Sequence, residues 1–174
     1  MVIASLKPAS GRQGGAMVEF EVNGRKVQVA AAAAVPLLDV LRNELDLKGS
    51  RYGCGLEQCG SCMVLVDGAP VYACGQGVGG IAGNRVTTVE GLAGHPLVQA
   101  FLDEQAGQCG YCLSGILISA KALLDRNPAP TRADIVAALD VHLCRCGTHV
   151  RILRAVERAA VVMREGTMRE GAVS

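Results

Sequence analysis

The stretch Cys54-Gly55-Leu56-Glu57-Gln58-Cys59-Gly60-Ser61-Cys62 decides how this chain is read. It places three thiols within nine residues, and Cys74 follows after eleven more. Four sulfurs so spaced can meet only if the backbone between them wraps tightly. Glycines at 49, 53, 55, 60 and 68 allow that, because they adopt φ > 0 without penalty and let amide N–H groups come close to sulfur. Four further cysteines stand at 109, 112, 144 and 146. Disulfides fit this pattern poorly. The first sixteen residues carry no apolar leader, and Cys144 and Cys146, one residue apart, would each need a separate distant partner. Thiols clustered in a reducing compartment more often hold metal, and eight divide into two sets of four.

Cys54, Cys59, Cys62 and Cys74 have the C-x4-C-x2-C…C spacing known for plant-type ferredoxins, which points to a 2Fe–2S cluster. Such a core with its four thiolates carries a charge of about −2, so amide donors aimed at the sulfurs stabilise it and raise its potential. The second set is Cys109-x2-Cys112 with Cys144-x-Cys146. Cys112 sits at the start of one predicted helix and Cys146 shortly before another, so two helix N-termini would face one anionic cluster. Zinc is the plainer alternative for paired C-x2-C, although a C-x-C closure is foreign to the usual zinc spacings. A Rieske centre needs paired histidine ligands; His95, His142 and His149 are not so arranged and read as capping or surface residues. Gly75-Gln76-Gly77-Val78-Gly79-Gly80 satisfies G-x-G-x-x-G after a strand. The following Ile81–Val89 holds Gly83 and a β-branched run, so no helix opens there for a dinucleotide, and the glycines read as a flexible link leaving Cys74.

Around these motifs, Val18, Phe20 and Val22 alternate with Glu19 and Glu21, and Asn23-Gly24 turns the chain into Val27 and Val29. Pro36 opens a predicted helix carrying Leu37, Leu38, Leu41 and Leu45. Met63–Val66, an Asp67-Gly68 turn and Pro70–Tyr72 form a second hairpin, and Arg85–Val89 a last strand. This is a small α+β sheet with one helix across it. Beyond residue 92 four amphipathic stretches predict a helical bundle: Leu97/Val98/Phe101/Leu102, Leu113–Leu124, a short helix capped at Thr131 with Ile135, Val136 and Leu139 inward, and Val150–Met163 with Ile152, Leu153, Val156, Ala160 and Val161 on one face. Residues 1–16 are expected to be a flexible lead-in, 17–90 and 91–165 the two domains, and 166–174 a flexible tail. With 17 basic and 16 acidic residues and only 3% aromatics, there is neither a basic field nor a stacking platform for nucleic acid. No apolar run approaches the roughly 20 residues of a membrane span, and the cytoplasm is the expected compartment.

Arg51-Tyr52-Gly53-Cys54 through Cys62, Gln108-Cys109-Gly110-Tyr111-Cys112 and Leu143-Cys144-Arg145-Cys146-Gly147-Thr148 together resemble the small iron–sulfur subunits of the xanthine dehydrogenase/aldehyde oxidoreductase family of molybdenum hydroxylases. The resemblance spans roughly residues 17–165 and takes in all eight cysteines. It implies an N-terminal β-grasp, ferredoxin-like domain and a C-terminal four-helix domain, each with a 2Fe–2S cluster. It further implies that an aldehyde or an N-heterocyclic aromatic is hydroxylated in a large partner subunit holding a molybdenum–molybdopterin cofactor, against which Gln108 and Cys146 would lie. Electrons would leave through the helical-domain cluster and then the ferredoxin-like one, to a flavin subunit or a c-type cytochrome. Leu113, Met63 and Glu57 depart from residues common in the family without removing a ligand. The Gly55-Leu56-Glu57-Gln58 loop looks closest to isoquinoline-, nicotinate- and cytochrome-linked aldehyde-type enzymes; the periplasm is the alternative compartment, reached by co-export with a partner that carries a twin-arginine signal. A free-standing two-cluster carrier is the alternative reading.

Overall fold

The computed structural model describes residues 15–171. Its first half is a five-stranded mixed sheet of order β2-β1-β5-β3-β4, made of β1 (Ala16–Val22), β2 (Arg25–Ala31), β3 (Met63–Val66), β4 (Ala69–Tyr72) and β5 (Arg85–Thr87). β1 pairs antiparallel with β2 and parallel with β5, while β3 runs antiparallel to both β4 and β5. Both hairpins close on two residues with positive φ, Asn23-Gly24 and Asp67-Gly68, the backbone a twisted two-residue loop requires. Val18, Phe20 and Val22 are buried as their alternation predicts.

The helix expected from Pro36 to Leu45 is shorter than its leucine spacing suggests. One α-helical turn, α1 (Leu37–Asp39), passes into a π-helical turn at Val40–Glu44, closed by the Leu45 amide on the Val40 carbonyl. The wider turn puts Val40 and Leu41 into the core together. The amides of Leu37 and Leu38 donate to the carbonyls of Gln76 and Ala73, so α1 grips the segment on both sides of Cys74. The glycine run after Cys74 is packed rather than flexible. Val78 and Gly79 donate to Val35 and Ala33, and a Cβ at Gly79 would lie 2.4 Å from that of Ala33. Val78–Ile81 is one 3-10 turn, not the long helix a dinucleotide fingerprint opens.

The second half consists of α2 (Pro96–Asp103), α3 (Leu113–Arg126), α4 (Arg132–Leu139) and α5 (His149–Gly171). α3 is apolar around most of its girth and fills the centre. Leu102, Val136 and Val161, expected inward, are exposed. Their neighbours Phe101, Ile135 and Ala160 take the buried positions, because adjacent helical residues point about 100° apart and only one can face the core. Helix α5 runs on through Gly171, so the tail expected from residue 166 begins inside a helix. Both Met-Arg-Glu triplets there are good helix formers, and the single Gly166 costs only about 1 kcal/mol. The lead-in and the last three residues lie outside the described residues, except that β1 already starts at Ala16. Among the described residues no helix is long and apolar enough to cross a membrane.

Two apolar cores meet across β3. Cys62 and Val64 join the core under the sheet and α1, whereas Met63 and Leu65 join the helical core. α4 is held at its start by a reciprocal cap, the Asp134 amide donating to Thr131 Oγ1 at 3.2 Å and the Thr131 amide to Asp134 Oδ2 at 2.8 Å. Thr131→Ala should lower stability by about 1 kcal/mol in urea unfolding at neutral pH. The Thr131 amide, and then its hydroxyl, hold the Asp134 carboxyl below its usual pKa. A depressed folded-state pKa stabilises above the unfolded value, so the part of the cap that depends on the carboxylate disappears as the pH falls through the folded pKa.

Candidate metal centres

The loop before β3 brings the first thiols together by folding amides onto sulfur. The amides of Leu56 and Gln58 donate to Cys54 Sγ and that of Cys54 to Cys59 Sγ, each at 3.3 Å. The Leu56 and then the Gln58 amide draw the Cys54 thiol down to about 7. At Gly53 a Cβ would lie 2.5 Å from Cys59 Sγ, so only glycine lets the chain pass so near the sulfur. Cys62 immediately precedes β3 and Cys74 follows β4, side by side because the Ala73 amide reaches the Cys62 carbonyl at 3.4 Å. Burial, with a smaller contribution from Cys74, pushes the Cys62 thiol up to about 12. Such a thiol binds metal only by giving up its proton to a strong positive charge, as iron supplies.

The second set lines a cavity of about 150 Å³ with Gln108, Tyr111, Ser61 and Thr148. Cys109 Sγ and Cys146 Sγ are 3.5 Å apart, too far for a disulfide, and all eight thiols are free. Cys112 is the N-cap residue of α3 and is buried, which drives its thiol up to about 12. Cys144 beside it is also raised by burial, but the Thr148 amide and hydroxyl and the Cys112 thiol outweigh this and bring it down to about 7. The thiols thus stand two by two: Cys54 with Cys59, Cys62 with Cys74, Cys109 with Cys146, and Cys112 with Cys144. Paired thiols match a two-iron core, in which each iron takes two thiolates.

The two sets are joined directly. The Leu143 amide donates to the Cys59 carbonyl at 3.2 Å, and Ser114 Oγ to the Ser61 carbonyl at 3.1 Å. The Tyr111 hydroxyl donates to the Tyr52 carbonyl, and the Arg51 guanidinium lies 5.2 Å from the Tyr111 ring centroid. His142, read from sequence as a surface or capping residue, lies at the centre of this joint and is only 5% exposed. Its Nε2 meets Ser119 Oγ at 2.7 Å, and burial lowers its pKa to about 4, so the ring is neutral. His95 does cap, accepting from the Leu97 amide at 3.1 Å, and His149 is exposed. Gln108 is exposed on the loop before α3, at the mouth of the cavity with Cys109 and Cys146.

Residues 20–80 match the family model of a 2Fe-2S iron-sulfur cluster binding domain, and residues 88–157 that of a [2Fe-2S] binding domain. Over 152 residues, 85% of this chain and 97% of the relative, the chain is 52% identical to a nicotinate dehydrogenase subunit of Pseudomonas putida. The chain belongs to the small iron–sulfur subunits of the xanthine dehydrogenase and aldehyde oxidoreductase family. Within this family it is 46% identical to the alpha subunit of isoquinoline 1-oxidoreductase from Brevundimonas diminuta, over 83% of this chain and 97% of that one. Among solved structures, quinoline 2-oxidoreductase from Pseudomonas putida 86 superposes with a TM-score of 0.82 at 32% identity, covering 87% of this chain and 97% of the other. The aldehyde oxidoreductase of Desulfovibrio desulfuricans gives 0.83 at 38% identity, with 86% of this chain matching 17% of that longer one. As a small iron–sulfur component of this family, the chain has an α+β ferredoxin-like half and a helical half, each matching a 2Fe–2S-binding domain.

Proposed function

We propose that this chain is the electron-transfer subunit of a molybdenum–molybdopterin hydroxylase whose substrate is an N-heterocyclic aromatic. Cys54, Cys59, Cys62 and Cys74 hold one 2Fe–2S cluster, and Cys109, Cys112, Cys144 and Cys146 the other. When bound, the clusters exchange one electron each, which lets two of them divide the electron pair that a hydroxylation releases. The observation that carries this reading is the contact between the two thiol sets. Leu143 N–H bonds to the Cys59 carbonyl one residue before Cys144, so one hydrogen bond and a few covalent bonds separate the two metal-binding loops. The nicotinate and isoquinoline relatives favour a heteroaromatic substrate over an aldehyde.

The large molybdopterin-binding subunit docks where Gln108, Cys109 and Cys146 open to solvent, with Gln108 and Cys146 against the pterin. Leu143 is 66% exposed at that mouth with Tyr111 beside it, an apolar rim that a free-standing carrier would leave in water. The exposed loop around Leu56 faces the electron acceptor, a flavin subunit or c-type cytochrome.

Native purification tests the reading: the chain should elute with a molybdenum-bearing partner, and a lone monomer without molybdenum would mean a free carrier. In the assembled enzyme Gln108→Ala should alter the paramagnetic spectrum of the molybdenum site while iron content stays constant. An unchanged spectrum would return Gln108 to a purely structural role.

A further inference from the structure

Thr148 has a role that neither cysteine spacing nor family membership assigns. It precedes α5, and its carbonyl accepts from the amides of Arg151 and Ile152 at 3.0 and 3.1 Å, which starts the helix. Its side chain is 3% exposed and reaches into the cavity of the second thiol set, with Oγ1 3.7 Å from Cys144 Sγ. That sulfur is the hydroxyl's hydrogen-bond partner across the cavity.

We infer that Thr148 is a positioning residue that sets the reduction potential of the helical-domain cluster by donating its hydroxyl proton to Cys144 Sγ. This rests on the assignment of Cys109, Cys112, Cys144 and Cys146 to that cluster. A sulfur bound to iron as thiolate carries no proton, so the hydroxyl must donate and the sulfur accept. Reduction adds negative charge to the core and its thiolates, and a donor at the sulfur favours the more negative state. Thr148 is 3% exposed, and the low polarity of a buried site strengthens the hydroxyl's interaction with that charge.

Midpoint potentials of both clusters, followed by their paramagnetic signals during redox titration of the full chain, test this. Thr148→Val removes the hydroxyl at nearly constant volume and should move the helical-domain cluster to a more negative potential. Thr148→Ser restores the donor and should keep the wild-type value. The ferredoxin-like cluster should stay in place throughout, with four iron atoms per chain retained, two from each cluster. Thr148→Ala must shift the potential in the same direction, and carries the test should the valine variant fail to load iron. An unshifted potential in an iron-replete valine or alanine variant overturns the inference, as does an equal shift of both clusters. Failure of the underlying assignment looks different: the wild-type chain itself would lack a second titrating signal.

Discussion

Cys62→Ser should leave the chain with one cluster instead of two. Iron and acid-labile sulfide should each fall from about four to about two per chain, and the visible absorption should drop by about half. Cys62 ends the wrapping loop just before β3 and is buried in the core that β3 shares with α1. A serine hydroxyl there supplies no thiolate, and as a buried polar group without a partner it costs a further 1–3 kcal/mol or so. The remaining cluster should persist, because Cys109, Cys112, Cys144 and Cys146 are carried by loops anchored to a separate helical core. Loss of all iron would show that the two halves assemble as one unit.

The second large effect lies at a glycine. Gly115 stands in the first turn of α3, where alanine ordinarily stabilises a helix by about 0.5–1 kcal/mol. Here the sign reverses. A Cβ would lie 1.9 Å from the Gly60 carbonyl oxygen, 2.9 Å from its carbon and 3.1 Å from His142 Cε1. Gly60 cannot yield easily: its own φ is +72°, and a Cβ on it would lie 2.1 Å from His142 Nδ1. Either α3 or the cysteine loop must retreat, breaking the Ser114–Ser61 or Leu143–Cys59 hydrogen bond. Gly115→Ala should therefore cost on the order of 1–3 kcal/mol in urea unfolding and weaken the magnetic coupling between the reduced clusters. Gly166→Ala on α5 is the control, since nothing lies within 4 Å of its added Cβ, and it should gain stability. Equal gains at both positions would mean that the joint is slack.

What could be read in advance was what is written locally. Asn23-Gly24 and Asp67-Gly68 demand positive φ wherever they occur, Thr131 and Asp134 cap each other across three residues, and four thiols at ferredoxin spacing leave little choice of cofactor. What escaped was set by partners distant in sequence. The burial of His142 depends on Gly60, Gly115 and Ser119, and its position before Cys144 says nothing about them. Choosing between Phe101 and Leu102, Ile135 and Val136, or Ala160 and Val161 requires knowing where α3 lies, since each pair is apolar at both positions. The glycines at 77 and 79 imitated a phosphate loop because close packing on Ala33 and close approach to a phosphate ask the same of the backbone. One signal was available: a glycine early in a long apolar helix, as Gly115 is, loses helix stability and so marks a close approach.

Electron paramagnetic resonance of the dithionite-reduced protein, integrated against iron content, addresses the claim on which the account stands. The expected result is two distinct signals that together integrate to about two spins for about four iron atoms per chain. A colourless protein that stays silent after reduction, with zinc in place of iron and sulfide, would contradict it.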